Sequence, residues 1–214
     1  METYHSIIHT IALTMGLAWA SGINLYATIA MLGLLGATGN LELPGGLEIL
    51  QHPAVIMAAC VMYVVEFFAD KVPGVDTGWD AFHTFVRIPA GAVLAAEAIG
   101  DVHPAAEIAA AILGGGISAT SHFTKAGSRV LINTSPEPFS NWAASLAEDL
   151  VVIGGLWVAL NHPWVFLVLF VAFLALAVWL MPKLWRGIRR VFAAIARFFR
   201  GELGRGAPTP STPA

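Results

Sequence analysis

The stretch "PWVFLVLFVAFLALAVWLM", residues 163–181, runs for nineteen residues without a charge. A helix needs about 20 apolar residues to cross a hydrocarbon layer of about 30 Å, and in lipid every backbone polar group must be satisfied within the segment itself. Trp164 and Trp179 stand near its two ends, where indole rings suit the membrane–water boundaries. "IIHTIALTMGLAWASGINLYATIAMLGLLG", 7–36, is longer still, and the runs 53–70 and 141–160 approach the same length. Of the 214 residues 57% are hydrophobic and only 12% charged, with a mean hydropathy of +0.73, which excludes an ordinary soluble domain. The chain therefore reads as all-α, a polytopic transmembrane helix bundle of about five to seven membrane segments.

Residues 7–36 are too long for one upright helix and carry Ser21, Gly22 and Asn24 near the middle. A break is expected at "ASGIN". It is either a kink with a glycine packing contact or a re-entrant meeting of two pieces, whose irregular backbone is tolerated only where protein or a cavity covers it. "TGNLELPGG", 38–46, reads as a loop, and Pro53 as the first residue of a helix. Pro73 and Gly74 stop that helix, and Asp76 or Thr77 is expected to cap the next, which passes Pro89 and reaches Gly100. An apolar helix over 104–120, a polar stretch over 114–141 and a crossing over 141–160 follow. "GINLYA" at 22 and "GISATS" at 116 each precede a crossing with two acids, which leaves room for an inverted repeat.

Seven of the eleven Lys and Arg lie from Lys183 onward. By the positive-inside rule this end faces the cytoplasm, which suits a multi-pass protein of the bacterial inner membrane. The first apolar stretch lacks a basic leader and a clean cleavage site, so it reads as a retained segment. Residues 1–182 are then the integral membrane domain and 202–214 a disordered tail. Residues 183–201 form a basic amphipathic interfacial helix, with Leu184, Ile188, Val191, Phe192, Ile195 and Phe199 on one side, suited to anionic lipids at 183–200. The apolar surface also admits a homo-oligomer. Cys60 is alone, and neither a zinc spacing nor a complete P-loop occurs, so no cofactor is expected. The basic end is better explained by a membrane than by nucleic acid.

Against this background "EFFADKVPGVDTGWDAFHTFVR", 66–87, gathers Glu66, Asp70, Lys71, Asp76, Asp80, His83 and Arg87. Spacings of four, three and four residues place Asp76, Asp80, His83 and Arg87 in one helical stripe. His122, Lys125 and Arg129 form a second, cationic stripe, and Glu148 and Asp149 add two more acids. Each ionisable group at membrane depth costs about 2.5–3.5 kcal/mol, so such groups face an interior and pair. With Asn24 in the broken first segment, these twelve residues are the candidate ion- or solute-binding set: Asn24, Glu66, Asp70, Asp76, Asp80, His83, Arg87, His122, Lys125, Arg129, Glu148 and Asp149.

Several chemistries fit that set. The acids suit binding and release of protons or cations along a transport path. Asp76, Asp80 and His83, completed by Glu66 or Glu148, would suit a divalent metal. Lys125, Arg129 and Arg87, near the glycines at 114–116, would suit a phosphate-bearing headgroup. Ser118, Ser121 and His122 lie close in sequence, but no G-x-S-x-G elbow is present and no catalytic set is assigned. The preferred reading is a transporter or channel for a small ion or polar solute. Its alternatives are a lipid-handling protein or enzyme with His83 or His122 as base, and an assembly protein whose charges only pair. A sealed polar pocket would suit transport and a laterally open groove lipid handling, whereas fully paired bridges without a cavity would suit neither.

"EFFADKVPGVDTGWDAFHTFVRIPAGA", "SGINLY" and "SHFTKAGSRVLINTSPEPFSNWAASLAED" together resemble the bacterial membrane family called domain of unknown function 4126, over about residues 10 to 180. The resemblance implies a polytopic membrane domain and brings no established activity and no assigned catalytic residue.

Overall fold

Proline punctuates this chain at the start of every second helix. Pro53, Pro104 and Pro163 each follow a histidine and open a helix, because a residue without an N–H loses nothing at that position. His52 and His103 Nδ1 accept the N–H groups of Ala54 and Ala105 at 3.2 Å, closing one more orphan donor each. The computed structural model describes residues 2–100, 102–134 and 139–199. They form α1 (Glu2–Ala37), a 3₁₀ helix (Gly45–Gln51), α2 (Pro53–Ala69), α3 (Val75–Ala98), α4 (Pro104–Ile132), α5 (Phe139–Asn161) and α6 (Pro163–Phe199), with no strand among the described residues. The tail 202–214 lies outside the described residues, as do the side chains of Ile195 and Phe199.

The bundle is all-helical, as expected. Three stretches, Tyr4–Ala37, Phe139–Asn161 and Pro163–Ala194, are long and apolar enough to cross a membrane. The 3₁₀ helix and α2, bent by 69° at their junction, add a fourth if they form one broken span. The expected count of segments was higher because α3 and α4 also span enough length, 24 and 29 residues. Their polar stripes are buried against neighbouring helices and cost them the hydropathy of a plain span.

α1 is the hub, packing against all five other α-helices, while α3 lies along α4. Its backbone leaves the helical region at Asn24 (φ −145°, ψ 95°), so the break falls within "ASGIN" as the sequence suggests. Asn24 also restarts the helix. Its side-chain oxygen accepts the N–H of Ala27 at 2.9 Å in the manner of an N-cap, and its carbonyl accepts the Thr28 hydroxyl at 2.8 Å. Just before the break α1 meets α4 through almost no side chain: a Cβ at Gly22 would strike the Ser121 hydroxyl and the Ser118 carbonyl, and one at Gly91 of α3 would strike Ser118. Small residues at such crossings let backbones approach closely, and this approach brings the two charged stripes together.

Two boundaries differ from expectation. The cap of α3 is Gly74, at φ +86°, where an L side chain would be strained. Asp76 lies inside the first turn and its Oδ1 accepts the N–H groups of Gly74 and Thr77 at 2.9 and 2.6 Å. α6 does not stop at 182 but continues through Pro182 to Phe199. The basic stretch is thus an extension of the last span, and Leu184, only 5% exposed, rests on α4 beside Gly127.

Candidate functional site

Five helices contribute polar side chains to one buried centre. The last turn of α2 supplies Glu66 and its C-cap Asp70; α3 supplies Asp80 and Arg87; α4 supplies His122, Lys125 and Arg129; α5 supplies Glu148 and Asp149; the break in α1 supplies Asn24. Each position follows from helical spacing, since residues three or four apart share a face. Arg87 and Arg129 are both completely buried, a placement that persists only with dense pairing.

Arg87 donates to Glu66 Oε1 at 2.6 Å and to Asp80 Oδ1 at 2.9 Å, and its carbonyl accepts the Ser118 hydroxyl. Arg129 grips Glu148 with two bonds, Nε to Oε1 at 3.0 Å and Nη2 to Oε2 at 2.7 Å. Its Nη1 donates to the Asn141 side chain at 2.5 Å and to the Asp70 carbonyl at 3.1 Å. Lys125 sits among the acids, with Nζ 2.8 Å from Asp70 Oδ2, 3.4 Å from both Glu66 Oε1 and Glu148 Oε2, and 3.8 Å from Asp80 Oδ1. It also donates at 3.1 Å to the carbonyl of Ile23, which the break in α1 leaves available. Asn24 Nδ2 donates to Asp149 Oδ1 at 3.0 Å.

The two histidines are each held through both ring nitrogens. Thr84 donates its hydroxyl to the Asp80 carbonyl at 3.1 Å and its oxygen lies 2.8 Å from His122 Nε2, while His122 Nδ1 is 3.4 Å from the Arg87 guanidinium. His83 Nδ1 donates to the Trp79 carbonyl at 2.9 Å, and its Nε2 accepts from the Tyr26 hydroxyl at 3.0 Å.

The centre is unbalanced. Five acids, Glu66, Asp70, Asp80, Glu148 and Asp149, with Asp76 at the edge, face three buried bases, Arg87, Lys125 and Arg129, and the less buried Lys71. Lys71 is half-buried and spends its ammonium on the Phe67 carbonyl and the Ser145 hydroxyl. Among the described residues Glu66 Oε2, Asp70 Oδ1, Asp80 Oδ2 and Asp149 Oδ2 are buried without a hydrogen-bond partner.

This chain belongs to the family described as Domain of unknown function (DUF4126). The family model matches residues 11–183, so it covers every residue of the centre and stops where the basic extension of α6 begins. No curated protein and no solved structure matches the chain. The DUF4126 description assigns no activity.

Ten of the twelve expected residues meet in the DUF4126 centre; the other two sit at its edge. Asp76 is 4.0 Å from Arg129 but is held mainly by its own turn and by Asn133 Nδ2 at 2.8 Å. His83 is turned to Tyr26 and Trp79. Asp76, Asp80 and His83 thus go to separate partners, and no three His, Cys, Asp or Glu converge as metal ligands among the described residues. One stripe on one helix spreads its members along the axis, roughly 1.5 Å per residue, and only a facing element gathers them. The three cations of the expected phosphate clamp are engaged by carboxylates. Asn133 and Asn141 escape a sequence reading because they are the first and last residues of "NTSPEPFSN", a segment that composition marks as a loop. Their signal is position, at the end of α4 and the start of α5.

An open, mostly apolar groove of about 630 Å³ lies between α3, α4 and α6, lined by Phe123, Gly127, Leu184 and Trp185 with Asp80 among its walls. It adjoins the charged centre from the outside.

Proposed function

We propose that this membrane protein moves a small cation or protons across the bilayer, with the buried acid–base centre as the binding site. The observation that supports this reading is the surplus of acid: five carboxyl groups, with Asp76 at the edge, against Arg87, Lys125, Arg129 and the less buried Lys71, and four carboxylate oxygens unpartnered among the described residues. Unpaired charge in a low-dielectric interior is expensive, and protons or a bound cation relieve it. Charges that served only to register helices would balance. The broken α1 adds a second element suited to ion handling, since the Ile23 carbonyl turned to Lys125 and a restarted helix meet at the same point. Glu148, with 17% of its side chain exposed, stands on the outer side of the centre and is the natural point of entry.

The distribution of Lys and Arg favours a bacterial inner-membrane protein with its C-terminus in the cytoplasm. The arginines from Arg186 onward suit anionic headgroups there.

A flux screen in proteoliposomes over protons, monovalent cations and anions tests the proposal. Wild-type protein should support one cation or proton flux, and Asp80→Asn and Lys125→Ala should each lose most of it. If neither substitution alters any flux that wild type supports, the centre is not a transport site. The groove beside Asp80 favours a second reading, the handling of a lipid whose chain lies against α6. Accelerated exchange of a fluorescent phospholipid between leaflets, with no ion flux, would select it.

A further inference from the structure

The surroundings of Lys125 differ from those of a lysine in an ordinary ion pair. An ammonium has three N–H donors. Five oxygens surround this one, from Asp70, Ile23, Glu66, Glu148 and Asp80, at 2.8, 3.1, 3.4, 3.4 and 3.8 Å. Four come from carboxylates and the fifth is the main-chain carbonyl exposed by the Asn24 break. Each of the four carboxylate oxygens is shared with an arginine, Glu66 and Asp80 with Arg87, Glu148 and Asp70 with Arg129, yet more oxygens surround Nζ than it has donors, as in a coordination shell, where direction matters less than charge. Three of these acids, Glu66, Asp70 and Asp80, are at least 95% buried and each keeps a second oxygen without a partner. The shell therefore retains capacity that the lysine does not use.

We infer that the Lys125 ammonium occupies a site for a free monovalent cation, and that this ion binds by taking the ammonium's place. The inference rests on the reading of the centre as a cation-handling site and names the class of ion. Hard oxygen donors suit alkali-metal ions and small ammonium ions. A singly charged ion replaces the ammonium without changing the total charge of the shell, whereas a divalent ion would add a charge beside Arg87 and Arg129. The lysine stem is flexible, so the exchange needs rotation about side-chain bonds and no movement of α4. Glu148, the most exposed of the Lys125 partners, gives the displaced ammonium a destination toward the rim. The side chain then acts as a tethered counter-ion that holds the empty site together and returns when the ion leaves.

The test uses the full chain in detergent, with NaCl, KCl and methylammonium chloride as probes and choline chloride at equal ionic strength as the control. The midpoint of thermal unfolding of Lys125→Ala should rise saturably with at least one of the three small cations and not with choline, because the vacated shell takes up the free ion. In wild-type protein, acetylation of Lys125 by acetic anhydride, read by mass spectrometry, should accelerate severalfold with that same cation, since the ammonium is displaced. A folded Lys125→Ala that responds to all four salts alike overturns the inference. If the variant does not fold in any salt, wild-type acetylation decides alone, and a rate independent of the small cations overturns it. Cation-specific stabilisation in a protein that shows no flux keeps this site and removes the transport reading; flux without either cation effect removes this site.

Discussion

Around Trp19 and around Lys125 the same helix, α1, meets its neighbours on different terms. Trp19 lies edge-on to Phe166 and Phe173 at 6.1 Å from each, within a cluster that includes Leu17, Val152, Leu156 and Phe170. Nothing there has direction, and cohesion comes from shape and dispersion. Some residues later along α1, each contact is a hydrogen bond or ion pair, and removing one member strands its partner in a medium that cannot solvate it. The apolar region should therefore tolerate change in proportion to volume, whereas the charged region should respond according to whether a stranded group stays charged.

The largest effect expected is that of Arg87→Met, which leaves Glu66 and Asp80 without their shortest partners. Loss of one member of a buried pair costs about 3–5 kcal/mol, measurable as a lowered midpoint of unfolding in detergent. A cost below that of the apolar substitution that follows would erase the distinction between the regions. Gly155→Ala tests the apolar side, because the new Cβ would run into the Trp19 ring. Overpacking of this kind costs about 1–3 kcal/mol, less if the indole can tilt.

Asp149→Asn sharpens the comparison within the charged region. Asp149 accepts from Asn24 through Oδ1, and its Oδ2 is unpartnered, so it is the acid best placed to carry a proton in the surplus. An amide replaces a protonated acid with little loss, and stability should change by no more than about 1 kcal/mol. A loss as large as that of Arg87→Met would show that Asp149 is ionised and held by a partner. The smallest effect should come from Arg189→Gln with Arg190→Gln, both on the exposed side of α6. Surface substitutions of this type stay within about 0.5 kcal/mol, and a larger change in detergent would mean that these arginines have protein partners.

Much of the charged region was legible because helical spacing is local. The Asp76–Arg87 stripe, the cationic stripe on α4 and the break at Asn24 follow from residues within a few positions of one another. Which stripe member meets which is not local. Asp80 could as well have joined Asp76 and His83 around a metal; it turns to Arg87 because seven residues is close to two helical turns and α2 delivers Glu66 to the same guanidinium. His83 leaves the cluster because Tyr26 of α1 offers its ring nitrogen a partner. The boundary expected at 182 and 183 does not interrupt α6, which carries through Pro182, with Leu184 secured on α4 beyond the proline.

By itself the sequence determined that this is an all-helical membrane-embedded chain, that Pro53 opens a helix and where α1 breaks, since hydropathy, proline and short-range spacing act along the backbone. Only the tertiary structure decided which acids share Arg87, Lys125 and Arg129, that Lys125 reaches the Ile23 carbonyl, and that Asn133 and Asn141 belong to the same network. These contacts join residues as far as 102 positions apart. They exist because small residues at Gly22, Gly91 and Ser118 let three backbones approach closely enough for buried charges to find each other before they find lipid.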